Sequence, residues 1–132
     1  VYEFHGWFGI AENTEDGDSG TLDAGIGDLR ARIEALGWPS SSAASLAVHN
    51  GTWFLVVNGC PNRPAAEAAE LAELLEFVAH RFPGSWGLLY ERSDYFEQPP
   101  GPGAFRVRVM ARGSLVERLD PFLSPVNPVI ED

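Results

Sequence analysis

The pair Asn50-Gly51, set between the apolar runs 46–49 and 52–59, constrains the fold more than any other feature of the chain. A two-residue reversal of the primed type needs positive φ at both central positions, and Asn followed by Gly accepts them readily. The two runs therefore read as the arms of a hairpin. Within the second arm, Trp53-Phe54-Leu55-Val56-Val57 is apolar at odd and even positions alike. Side chains alternate across a strand, so this arm has two apolar faces, and the expectation is a central strand covered on both sides.

Similar punctuation divides the rest of the chain. Residues 2–11 are rich in aromatic and β-branched side chains, with Tyr2, Phe4, Phe8 and Ile10 marking a strand and Gly6 a candidate bulge. Residues 12–20 hold Glu12, Glu15, Asp16 and Asp18 without one apolar group, the pattern of a solvated loop. From Leu22 the apolar positions Ile26, Leu29, Ile33 and Leu36 follow at helical spacing, and Gly37 with Trp38-Pro39 ends that helix. Pro64 suits the first turn of a second helix, whose buried stripe is Leu71, Leu74, Leu75, Val78 and Phe82. Pro83-Gly84 stops it, and 86–91 reads as a strand.

Beyond the proline-rich loop 98–103, Phe105, Val107 and Val109 alternate with Arg106, Arg108 and Met110, which predicts a strand with its apolar face inward and its basic face outward. Arg112-Gly113 turns the chain into a partner arm, 114–119. After it, Pro121, Pro125 and Pro128 exclude helix and central strand, while Phe122, Leu123, Val126, Val129 and Ile130 predict that the tail lies against the core. The order of elements is that of an α+β fold, a mainly antiparallel sheet of about five to six strands with two helices packed on one face. The length of 132 residues corresponds to one domain, 1–132.

Little in the chain carries catalytic chemistry. His5, His49 and His80 lack the spacing of metal ligands, the Asp16 and Asp18 segment lacks a calcium-loop pattern, and no lysine is present to serve a phosphate loop. No cofactor is called for. A single cysteine, Cys60, forms no internal disulfide, which fits a reducing cytoplasm. The opening residues lack the basic and apolar regions of a signal peptide, and no apolar run reaches the length of a membrane span, so the expectation is a cytoplasmic protein with no membrane partner. With 19 acidic residues against nine arginines, the formal charge is −10. Nucleic acid is disfavoured as a partner, and a cationic protein surface is favoured.

Three blocks carry a resemblance. They are Tyr2-Glu3-Phe4-His5-Gly6-Trp7, then Pro83-Gly84-Ser85-Trp86-Gly87-Leu88-Leu89-Tyr90-Glu91-Arg92, and finally Met110-Ala111-Arg112-Gly113 with Asp120-Pro121-Phe122-Leu123-Ser124-Pro125 and 128–132. In order and spacing they resemble the immunity protein 7 family of bacterial polymorphic toxin systems. The family's usual acidic pair after Tyr-x-Arg is Ser93-Asp94 in this chain. The resemblance implies a non-enzymatic protein that binds a cognate secreted toxin domain, one to one. It also implies that the signature residues Glu3, His5, Trp7, Arg112, Asp120 and Ser124 fix the fold, because contacts that must differ between cognate pairs are poorly served by shared residues.

Candidate contact residues come from the loops. Glu12, Glu15, Asp16 and Asp18 form the densest acidic segment, suited to steering onto a cationic cleft such as a nuclease groove. Tyr95, Phe96 and Glu97 set two aromatics and an acid beside the proline-rich loop. A second hypothesis is a small hydrolase or ligand-binding domain in which Glu3, His5 and Asp120 converge on a pocket.

Overall fold

The computed structural model describes residues 1–13, 22–62, 66–97 and 103–123. Its elements run β1 (Tyr2–Ile10), α1 (Leu22–Leu36), β2 (Ser42–His49), β3 (Thr52–Gly59), α2 (Ala66–Arg81), β4 (Trp86–Ser93), β5 (Arg106–Ala111) and β6 (Ser114–Leu119). The six strands form one sheet in the order β2-β3-β1-β4-β5-β6, and every neighbouring pair is antiparallel. The α+β expectation holds. Asn50 and Gly51 have φ of 50° and 80°, the primed reversal their identities imply, and Arg112 and Gly113 repeat it at 51° and 79°.

Alternation along the strands divides the sheet into two faces. Tyr2, Phe4, Phe8 and Ile10 of β1 meet Leu55 and Val57 of β3 and Leu89 of β4 on one face. Ile26 and Leu29 of α1 and Leu71, Leu74, Leu75 and Val78 of α2 close over them in the same core. Both helices therefore spend their apolar stripes on a single face. The pairing of β1 runs without interruption through Gly6, which faces Val57 and Leu89, so the strand has no bulge there. Gly6 is small for a packing reason: a Cβ would lie 2.9 Å from Leu89 Cδ1.

β5 reverses the expected orientation. Leu89 pairs with Arg108 and Glu91 with Arg106, which puts both arginines on the helix side and Val107 and Val109 on the opposite face. The cause is Glu91, only 2% exposed on that helix side. A buried carboxylate needs counter-charge and donors. Arg106 Nε donates to Glu91 Oε2 at 2.7 Å, and Tyr2 Oη donates to Oε1 at 2.6 Å. Arg108 Nε lies 3.1 Å from Oε2 as an ion pair but off the line a hydrogen bond requires.

The C-terminal stretch also departs from expectation where it is described. Asp120 is buried, and its carboxylate accepts from the backbone N–H of Phe122 at 3.3 Å and of Leu123 at 2.6 Å. This local turn holds the two apolar side chains outward, with Phe122 83% exposed. Val126, Val129 and Ile130 lie outside the described residues.

Candidate partner-binding surface

Trp7, Val56, Trp86 and Val116, four of the exposed apolar residues, share the face of the sheet away from the helices. The residues of β1 that alternate with its core positions are Glu3, His5 and Trp7. Register sets Trp7 between Val56 of β3 and Leu88 of β4, and His5 between Asn58 and Tyr90. Trp86 and Phe54 flank Gly9 in the same way. A Cβ on Gly9 would fall 2.4 Å from the Trp86 ring, so this glycine is what lets the indole lie across the strand.

Edge-to-face contacts link the rings. Trp7 and Trp86 have centroids 5.8 Å apart at 74° and Trp86 and Phe54 are 6.0 Å apart at 83°, while His49 meets Phe54 at 5.8 Å in a tilted arrangement of 44°. These are favourable aromatic geometries, and they hold the cluster in one arrangement. It nevertheless stays open to solvent, with Trp7 and Trp86 each 45% exposed and Val56 41%. Large rigid aromatics gathered on an open face are the side chains that anchor protein interfaces.

One end of the face is polar. Glu3 Oε2 accepts from His5 Nε2 at 2.6 Å and Glu3 Oε1 accepts from Arg92 Nε at 2.8 Å. Partial burial pushes the Glu3 carboxyl upward, but the hydrogen bonds from His5 and Arg92 outweigh it and hold the group below its ordinary value. A carboxylate held ionised between two donors is a poor proton acceptor. A groove of about 600 Å³ lies elsewhere, between the helices and the β5–β6 turn, lined by Arg32, Glu73, Glu76, Phe77, His80 and Leu115. Glu3, His5 and Asp120 do not line it, and Asp120 spends its carboxylate on its own turn.

The residues singled out in the loops lie at opposite ends of the sheet. Glu12 follows the Ile10 end of β1, beside Trp86, whereas Tyr95, Phe96 and Glu97 follow Ser93 of β4, which pairs with Tyr2 at the other end. Nine residues of strand separate them, roughly 30 Å. Tyr95 and Glu97 are exposed, and Phe96 packs inward with the Arg106 guanidinium 4.3 Å above its ring. Glu15, Asp16, Asp18 and Ser124 lie outside the described residues. Among the signature residues, Asp120 caps a turn and Arg112 makes one, but Trp7 stands on the open face.

Sequence reasoning passed over Phe54, Val56, Trp86 and Leu88 as members of this surface. The signal was the apolar character of β3 on both faces, read as cover on both sides. Two helices of 15 and 16 residues cover one face only. Their own outer surfaces are acidic, with Asp23, Asp28, Glu34, Glu67, Glu70, Glu73 and Glu76 set against Arg30, Arg32 and Arg81.

Among the described residues no cluster of His, Cys, Asp and Glu is arranged to hold a metal ion, and no helix is long and apolar enough to cross a membrane. Compared with known proteins, the chain matches the family described as Immunity protein 7 over residues 1–132. Comparison with curated proteins and with solved structures returns no match.

Proposed function

The chain belongs to the immunity protein 7 family, and from that premise we propose that it neutralises its cognate toxin domain by covering it with the open face of the sheet. The family consists of non-enzymatic inhibitors, so the work to be explained is recognition. The observation that carries the choice of surface is the linked cluster of Trp7, Trp86 and Phe54, rigid and half open to solvent. Such side chains bury large area at small entropic cost, and they serve as the centre of an interface whose rim is polar. Here the rim comprises the Glu3, His5 and Arg92 group and the two end loops, with Glu12 at one and Tyr95 and Glu97 at the other.

Charge has a different part. A chain of formal charge −10 attracts a cationic toxin surface, such as the groove of a nuclease, and speeds encounter before the aromatic centre docks. The acidic segment holding Glu12, Glu15, Asp16 and Asp18 is the densest source of that field. The complex is expected to be one to one, to form in the cytoplasm of the producing cell, and to bury roughly 1,200–2,000 Å² in total.

The test is co-purification with the product of the gene immediately upstream, followed by titration against that product's toxicity. Stoichiometric capture with rescue at one equivalent is the expected result. Capture without rescue, or no capture, overturns neutralisation by direct binding.

A further inference from the structure

Strand β2 is an edge that lacks the usual protection. It pairs with β3 on one side through eight consecutive residues, from Ser42 opposite Gly59 to His49 opposite Thr52. Because His49 and Thr52 flank the two-residue turn at Asn50-Gly51, they exchange hydrogen bonds, and so do the alternate pairs at Ala47, Ser45 and Ala43. The backbone groups of Val48, Leu46, Ala44 and Ser42 therefore point away from the sheet. Ser42 N–H is taken by Pro39 carbonyl oxygen at 3.0 Å. Among the described residues nothing similar meets Ala44, Leu46 or Val48.

Edges of this kind are commonly blunted by charge, proline or a bulge. β2 reads Ser-Ala-Ala-Ser-Leu-Ala-Val-His and has none of the three. The opposite edge, β6, carries Glu117 and Arg118. Indeed the whole stretch 35–62 contains no Asp, Glu, Lys or Arg, in a chain whose formal charge is −10. The β2 edge is thus a part of the sheet where a like-charged molecule approaches with little repulsion.

We propose that β2 is a dimerisation edge, at which the β2 of a second copy adds antiparallel about a two-fold axis through Leu46. That register sets Leu46 against Leu46 and Ala44 against Val48 of the other copy. Every outward-pointing residue then meets an outward-pointing residue, and about six backbone hydrogen bonds form across the seam. A two-fold axis normal to the sheet keeps both helical layers on one side, so Val48, 47% exposed in the single chain, becomes covered beside Ala44 of the other copy. The two aromatic faces stay open on the other side, and each remains available to one toxin.

The test uses the purified protein alone, so its outcome is independent of toxin binding. Mass measured by light scattering or sedimentation over a concentration series is expected to show a monomer–dimer equilibrium that strengthens with added salt, as repulsion between the two anionic copies is screened. Val48→Lys sets an ammonium against Ala44 of the other copy at both ends of the seam, and is expected to weaken association by roughly tenfold or more. Ala44→Pro removes an outward N–H without touching the β3 ladder and is expected to act in the same direction. Both variants should keep the wild-type far-ultraviolet spectrum. A wild-type protein monomeric at its highest soluble concentration overturns the proposal, as does a dimer indifferent to both substitutions. A monomer whose Val48→Lys variant loses toxin capture also overturns it and assigns the edge to a toxin strand.

Discussion

Tyr2 donates its hydroxyl proton to Glu91 over 2.6 Å, tying the first strand to a carboxylate buried on the helix side of the sheet. The same carboxylate is what turns Arg106 and Arg108 inward. Removing one member of a buried ionic group costs more than the group contributes, because the partners stay buried without compensation. Glu91→Ala is therefore expected to destabilise by about 3–5 kcal/mol. Urea denaturation followed by tryptophan fluorescence measures it, and an unchanged midpoint would show the network to be idle.

The Tyr2 phenol also sets an alkaline limit. Burial, then the nearby Glu91 charge and its hydrogen bond, push its pKa well above the ordinary 10.0. A group whose value is raised on folding contributes stability that is fully present below the unfolded value and declines as pH rises past it. The difference in unfolding free energy between wild type and Tyr2→Phe is thus expected to be flat below pH 10.0 and to shrink above it. Paired urea titrations across that range check the sign; a difference that grows with pH contradicts it.

How far the sequence speaks can be judged from particular strands. Asn50-Gly51 and the spacing from Leu22 to Leu36 are local signals, and local signals were enough for the elements. The orientation of β5 was not local. Alternation of Val107 and Val109 with Arg106 and Arg108 shows two unlike faces, but which one turns inward depends on Glu91, 15 residues away in sequence from Arg106. The candidate surface is distributed in the same way. Trp7, Phe54 and Trp86 belong to three strands, and they become one cluster only through the pairing of β1 with β3 and β4. The acidic loop was visible from composition because charge density is a property of a segment.

Two glycines of α1 separate intrinsic propensity from packing. Gly27 faces open space, with nothing within 4 Å of an added Cβ, whereas a Cβ on Gly25 would come 2.7 Å from the buried Phe82 ring. Gly27→Ala is expected to stabilise by about 1 kcal/mol through helix propensity. The same change at Gly25 forces a core aromatic to move, and overpacking of that kind costs about 1–3 kcal/mol, more than propensity returns. Thermal or urea unfolding of the two variants should shift in opposite directions. Equal gains would mean that α1 is free to move away from Phe82.

The last expectation separates the aromatic face from the acidic loop by kinetics. Trp7→Gln and Trp86→Gln alter half-exposed side chains outside the core, so each should leave stability within about 1 kcal/mol of wild type. As central anchors, each should cost about 2 kcal/mol or more of toxin affinity, roughly thirtyfold, expressed mainly as faster dissociation. Charge reversal at Glu12, Glu15, Asp16 and Asp18 removes steering instead. It should slow association at low ionic strength, lose that effect as salt is raised, and leave dissociation nearly unchanged. Surface-immobilised toxin titrated at two salt concentrations reads both rates. Tryptophan variants that dissociate at the wild-type rate would remove the open face from the interface, and reversed charges that leave low-salt association unchanged would remove the loop.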